Sequence, residues 1–407
     1  LITDAGERER ILAIVREIAA AMEVHTGDDT RSVDSLTDHA LLRTYLAQDD
    51  TCPDPDDVAT TALSAAITRF GAGGFGPGLF GGAARLGWSV AHLAGGDDAD
   101  AVCTAVETVL LRQLEQPGDG EYDLISGFTG LGVCGLERRD HDGGQRLARR
   151  ILDLLEASAT PTGPGLAWFT PPARLPEWQR QVSPGGYYNL GLAHGNPGVI
   201  ALLARYLAAD LEAARARELL ERAVAYLLDA EPPNPSGRYP SWHPRSDGRG
   251  ALTRLAWCYG DLGVSVALLS AAQACEQPAW HDEAVALARL TASRSFAEAH
   301  VIDTGLCHGA AGAAHIFNRM YQATGDADLG AAARTWVAQT LAMRRDDDIA
   351  GFPSALRDPE KGETTWRTDP SLLMGAPGVA LMLHAAVSDV EPGWDRLLLV
   401  DVAPRGA

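Results

Sequence analysis

A Gly-x-x-Gly element followed by an apolar stretch recurs along the chain. It stands at Gly127-Phe128-Thr129-Gly130, Gly195-Asn196-Pro197-Gly198, Gly260-Asp261-Leu262-Gly263, Gly309-Ala310-Ala311-Gly312 and Gly375-Ala376-Pro377-Gly378. A degraded copy is Gly81-Gly82-Ala83-Ala84. Successive copies lie about 46 to about 68 residues apart, the spacing of helical pairs carrying variable insertions. Between them run amphipathic segments such as Leu211–Asp229, where Ala213, Ala216, Leu220, Val224 and Leu227 recur at helical spacing among Arg and Glu. Asp98–Gln116, Gly144–Ala157, His281–Phe296 and Leu329–Met343 share that pattern. Each unit therefore reads as a half-polar outer helix followed by an inner helix that is apolar nearly all round and must be buried.

Six such units with parallel inner helices predict an all-α fold, an α/α toroid in which one ring of helices encloses another. An open solenoid is the alternative, but it needs polar-capped end repeats, and neither end of the chain shows one. Ala5–Met22 and Ser35–Gln48 also read as helices and would complete the ring as a further pair. The whole of 1–407 then forms a single domain, and 46% apolar residues suffice for its core. Glycine and proline gather in three insertions, Thr160–Tyr188, Glu231–Gly250 and Asp346–Pro370. The first contains a short aromatic strand candidate, Leu166–Thr170. All three precede an inner helix, so they should cover one mouth of the ring, and the functional site belongs there.

The polar residues at the inner-helix starts carry the chemistry. Cys307 and His308 precede Gly309, and in the matching frame Cys258 and Tyr259 precede Gly260. Two thiols and an imidazole suit zinc and leave a fourth position for water or substrate. His194 holds the slot of His308, Asp123 lies just ahead of Gly127, and Arg254 lies one turn ahead of Cys258. Ser126 and Met374 fill the His308 slot in other repeats, so the fold itself does not require a ligand there. Each residue also has a plain structural reading. Asp123 fits a helix cap, Arg254 an ion pair, Tyr259 a packing aromatic, and His194 a hydrogen bond to a loop carbonyl. Cys52, Cys103, Cys134 and Cys275 read as ordinary thiols, His243, His300 and His315 as structural, and Asp346-Asp347-Asp348 as a solvated run.

Charge and cysteine usage narrow the classes. The net charge of −20 repels phosphate, which disfavours nucleic acid or an anionic membrane as partner. Six scattered cysteines do not make a disulfide scaffold, Leu1–Arg10 has no apolar signal core, and no apolar run reaches the ~18 residues of a membrane span. The chain reads as cytoplasmic, with no membrane insertion.

Ala193-His194-Gly195-Asn196-Pro197-Gly198, the segment Arg254–Gly260 and Leu306-Cys307-His308-Gly309 together resemble the lanthionine cyclases, the LanC-like proteins. The similarity runs from about Thr60 to about Ala386. It implies seven inner and seven outer helices, where the repeats counted above number six. It also implies one zinc per chain on Cys258, Cys307 and His308, with His194 and Asp123 as the acid–base pair and Arg254 and Tyr259 beside them. The implied activity is that of a stand-alone cyclase closing thioether rings. It adds peptide cysteine thiols to dehydroalanine or dehydrobutyrine in a dehydrated precursor peptide, with the cognate dehydratase as a further candidate partner. The alternative within the family is a zinc protein that binds glutathione or another small thiol without closing rings. Two other toroid classes fit less well. A prenyltransferase-type site would use a carboxylate ligand and an aromatic-rich funnel, whereas aromatics are only 6% here. A carbohydrate-active toroid would use paired carboxylates and stacked aromatics, which the repeat starts lack.

Overall fold

Most of the long helices form where the apolar periodicity places them, whereas the helix over Val58–Gly71 is not marked by it. In a computed structural model of the chain, residues 1–25, 32–54, 56–116, 120–230, 237–243, 253–345, 349–357 and 363–406 are described. The helices among them are α1 (Ala5–His25), α2 (Val33–Ala47), α3 (Val58–Gly71), α4 (Ala83–Leu93), α5 (Asp97–Gln113), α6 (Phe128–Glu137), α7 (Asp142–Ser158) and α8 (Glu177–Val182). They continue with α9 (Asn196–Ala208), α10 (Ala213–Asp229), α11 (Asp261–Cys275), α12 (Pro278–Ala292), α13 (Phe296–Ala299), α14 (Ala310–Thr324), α15 (Ala327–Ala342) and α16 (Ala376–Val387).

Helices α2, α4, α6, α9, α11, α14 and α16 each pack against the next, and α16 returns to α2. This closed ring of inner helices makes the fold an α/α toroid. Burial follows position. Every residue of α16 is buried, as is every residue of α11 from Asp261 to Ala272. In α10 only one face is covered, through Ala216, Leu219, Leu220, Ala223, Val224 and Leu227.

The pairing differs from the order read in the sequence. Each inner helix packs on the outer helix that follows it: α2 on α3, α4 on α5, α6 on α7, α9 on α10, α11 on α12 and α14 on α15. Helices α1 and α2 are not a pair. Helix α1 covers α16, the last inner helix, and Ile2 N–H donates to the Ala386 carbonyl at 2.9 Å. The ring thus has a seventh unit, assembled from the two ends of the helical sequence. The inner helix that the glycine pattern misses is α2, which pairs with α3 and is capped by Ser32, accepting from Ser35 N–H.

The glycine pairs have a steric cause. The loop ahead of each inner helix doubles back over the helix start. A Cβ on the second glycine of the motif would collide with the carbonyl six residues earlier: Leu124 for Gly130, Leu192 for Gly198, Trp257 for Gly263, Leu306 for Gly312 and Leu372 for Gly378. Neighbouring loops are then stitched together by their backbones. Phe80 N–H donates to Ile125, Leu124 to Ala193, Ala193 to Cys258, Trp257 and Cys258 to Cys307, and Cys307 to Leu373. At α2, whose preceding residues 26–31 lie outside the described residues, carboxylates join the belt. Asp38 accepts from Leu372 N–H at 2.7 Å and Asp34 from Gly81 N–H at 2.8 Å.

The insertions attach to this belt. In the first insertion β1 (Thr160–Thr162) pairs antiparallel with β2 (Gly165–Ala167), and the strand candidate Leu166–Thr170 falls across β2 and β3 (Phe169–Thr170). Strand β3 pairs antiparallel with β4 (Tyr187–Asn189), and β4 with β5 (Trp242–His243), so the first two insertions share one small sheet. In the third, the hairpin of β6 (Ser354–Arg357) and β7 (Thr364–Arg367) is joined to the loop before α14, where Ala355 N–H donates to Asp303 at 3.3 Å. The Asp346-Asp347-Asp348 run and much of 231–250 lie outside the described residues.

The segment after α16, which shows no repeat, fills the other end of the ring. Trp394, Leu397, Leu398, Leu399 and Val400 are buried, and residues near the C-terminal ends of five inner helices reach this segment. His92 and Glu137 meet Arg396 at 3.0 and 3.2 Å, Arg205 meets Asp401 at 3.0 Å, Gln273 donates to the Ala403 carbonyl at 2.9 Å, and Arg319 meets Asp395 at 3.1 Å.

Candidate functional site

Each residue singled out in the sequence sits in the tight turn before an inner helix, where the backbone belt fixes its neighbours. The belt bond from Ala193 N–H to the Cys258 carbonyl, 3.3 Å, ties the His194 loop to the Cys258 loop. The next two, from Trp257 and Cys258 to the Cys307 carbonyl, tie that loop to the one holding His308. Side chains from four repeats therefore converge at one mouth, where the inner-helix N-termini add a positive field.

Cys258, Cys307 and His308 present their donor atoms within 4.8 Å of one another, the one such His/Cys/Asp/Glu group among the described residues. Zn–S and Zn–N bonds run roughly 2.0–2.3 Å, so one ion fits among three donors so spaced, and two sulfurs with one nitrogen are a zinc-like set. Cys258 is held well below the usual thiol range, because pairing with the Cys307 thiol outweighs burial and His308 and Arg254 add to it. Cys307 is pushed well above that range by the same pairing and by burial. Burial also raises the Asp303 carboxyl, despite the nearby His308.

Beside this group, His194 Nδ1 meets Asp123 Oδ2 at 2.9 Å, and the imidazole stacks on Tyr259 with ring centres 5.6 Å apart. Burial pushes the His194 pKa down, but the Asp123 hydrogen bond and charge, joined by Cys258 and Glu121, outweigh it and leave it raised. The other oxygen of Asp123 accepts from Ser126 and Gly127 N–H at 2.9 and 2.8 Å. Asp123 thus caps the turn through one oxygen and pairs with His194 through the other. Arg254 is exposed and lies close enough to act by charge on Cys258, Cys307 and Asp303.

A model of the lanthionine synthetase C-like protein family matches residues 40–399. The chain belongs to this family. Among solved structures, nisin cyclase superposes on 95% of this chain and 96% of its own length, with a TM-score of 0.77 and 18% sequence identity. The LanC-like match extends further at both ends than the segment legible in the sequence. It reaches into α2 and takes in most of the segment that fills the base of the ring.

Several residues of this LanC-like site went unread in the sequence. Asn189 donates to the Tyr259 hydroxyl at 3.2 Å, and its Oδ1 accepts from Gly191 N–H at 2.9 Å. Asp369 makes the same turn to Ser371 at 3.0 Å, and Asp303 a longer one to Gly305 at 3.4 Å. Asn189, Asp303 and Asp369 each stand six positions before the first glycine of a motif, a recurrence that marks them as loop-folding side chains.

Proposed function

We propose that this chain is a zinc-dependent lanthipeptide cyclase, adding peptide cysteine thiols to dehydroalanine or dehydrobutyrine to form lanthionine and methyllanthionine rings. The observation that carries the reading is the convergence of a Cys258, Cys307 and His308 donor set with a hydrogen-bonded His194–Asp123 pair at one mouth. Zinc held by those three residues would lower the pKa of the substrate cysteine thiol, so that it is present and positioned as a thiolate near neutral pH. Sulfur then bonds to the β-carbon, the double bond's electrons move toward the carbonyl, and the α-carbon takes a proton. His194 delivers that proton from Nε2, since Nδ1 is engaged by Asp123. Tyr259 holds the imidazole by stacking, and Arg254 faces the negative charge that develops on the carbonyl oxygen.

In this reading 1–407 work as one cytoplasmic domain, with the insertions at 160–188, 231–250 and 346–370 over the mouth. The partners are the dehydrated precursor peptide and its dehydratase. No described helix is long and apolar enough to cross a membrane. The test pairs the zinc-loaded protein with a dehydrated Ser/Thr/Cys-rich peptide encoded beside it. Ring closure leaves the mass unchanged but removes free thiols, so alkylation followed by mass spectrometry reads it directly. Peptide thiols that stay fully alkylatable defeat the reading. Should glutathione bind under the same conditions, the small-thiol alternative replaces it, although that alternative gives the His194–Asp123 pair no task.

A further inference from the structure

A cavity of 280 Å³ opens against His194 and Tyr259 without being lined by Cys258, Cys307 or His308. Its far wall comes from the first insertion, through Arg174, Leu175, Gln179 and Tyr187, and Glu121 stands at its lip. Gln179 is only 9% exposed, and its Oε1 accepts from the Tyr187 hydroxyl at 2.8 Å. Its amide nitrogen has no hydrogen-bond partner among the described residues, although the side chain lines the cavity. That nitrogen is not sealed from the open space of the cavity, so it stands there as a free donor that a ligand's carbonyl can engage.

Arg174 adds to the same wall. It donates one Nη1–H to the Gly120 carbonyl at 2.9 Å, which leaves the rest of the guanidinium fork available. On the lip, Glu121 Oε2 accepts from the Ser126 hydroxyl at 2.7 Å, and its second oxygen remains an acceptor. The cavity thus offers both donors and an acceptor, which suits the alternating carbonyl and N–H of a peptide main chain. Leu175 and Tyr187, buried in a small cluster with Trp242, offer apolar surface for a side chain. The volume falls below the ~300 Å³ of typical drug-sized sites, a size for one or two residues.

We propose that this cavity is a main-chain subsite for the substrate residue adjoining the dehydrated one, with Gln179 and Arg174 donating to its carbonyl. The identity of the ligand rests on the cyclase reading. Holding that carbonyl fixes which face of the α-carbon meets His194, so the subsite governs stereochemistry as well as affinity.

Two variants test it. Gln179→Glu keeps the size and the acceptor for Tyr187 but puts an oxygen where the donor was, and Arg174→Met keeps the stem but removes the fork. In each folded variant, zinc content and melting temperature should match wild type while KM for the dehydrated peptide rises about tenfold. The ratio of lanthionine diastereomers, read by chiral chromatography after hydrolysis, should move toward that of the uncatalysed reaction. Unchanged KM and unchanged diastereomer ratio in both variants would overturn the subsite. Should wild-type protein itself fail to cyclise, the cyclase reading falls separately. Binding of N-acetyl-dehydroalanyl-glycinamide, followed by NMR titration, then decides the subsite: weaker binding to both variants upholds it, and equal or absent binding to wild type overturns it.

Discussion

The imidazole of His194 has two ring nitrogens, and Asp123 takes one of them, so only Nε2 is free to exchange a proton with substrate. Replacing the ring by an amide of similar reach should remove that exchange without touching the donor set. His194→Asn is therefore expected to keep its zinc and to lose about 10²–10⁴-fold in ring closure, whereas Cys307→Ala loses metal and activity together. Metal analysis beside the thiol-alkylation assay separates the two outcomes. The pairing also sets a pH dependence. As an acid, His194 works only while protonated, so the rate should fall as pH rises through a pKa that Asp123 raises above the ordinary ~6.5. Asn at position 123 can still cap Ser126 and Gly127 but carries no charge, so pH–rate profiles should show that limb moving to lower pH in Asp123→Asn. The stability effect has the same sign. The Asp123–His194 pair stabilises the fold fully below about pH 6.5, and the contribution fades as pH rises through the raised folded value. These candidates stood out in the sequence because Cys258 and Cys307 share one repeated slot, and His194 and His308 share the next, which Ser126 and Met374 hold in other repeats. The double duty of Asp123 was not legible, because spacing does not say which oxygen bonds to what.

At the scale of the helix and its loop, the second glycine of each motif does more than start a helix. It lets the preceding loop lie against the first turn, and that loop carries the site. Gly312→Ala would drive a methyl group into the Leu306 carbonyl, one residue from Cys307. Overpacking of this kind costs about 1–3 kcal/mol, and here it should also weaken zinc retention, because the shifted backbone is the one that presents the ligand. Urea unfolding and chelator competition on the same variant check both effects. The glycine code was readable because close backbone approach excludes every other side chain. The first inner helix was read as a helix completing the ring but not from the glycine code, since Asp34 and Asp38 do with carboxylates what the loops do elsewhere. The helix pairing was read in the wrong order for a related reason. Each inner helix has an outer helix on both sides in sequence, and only packing decides between them.

Across the whole molecule, the base of the ring is held by charges that have almost no access to water. Asp395 is fully buried and meets His315 at 2.9 Å and Arg319 at 3.1 Å. Asp395→Ala would strand His315 and leave Arg319 only Glu391 and Gln322, and should cost about 3–5 kcal/mol, measured by chemical denaturation. Through the Trp257 indole, whose N–H donates to the Leu398 carbonyl at 2.9 Å, this segment also abuts the residue next to Cys258. None of it could be read from the repeat, because the segment is not one. The closure of α16 on α2 and its cover by α1 have a further consequence, in the time order of folding. Contacts such as Leu372 with Asp38 join residues 334 positions apart, so the ring cannot shut until its last inner helix has left the ribosome. Until then the nascent chain is an open arc whose two end helices present bare apolar faces. This is the interval in which a growing chain of this shape most needs shielding from its neighbours.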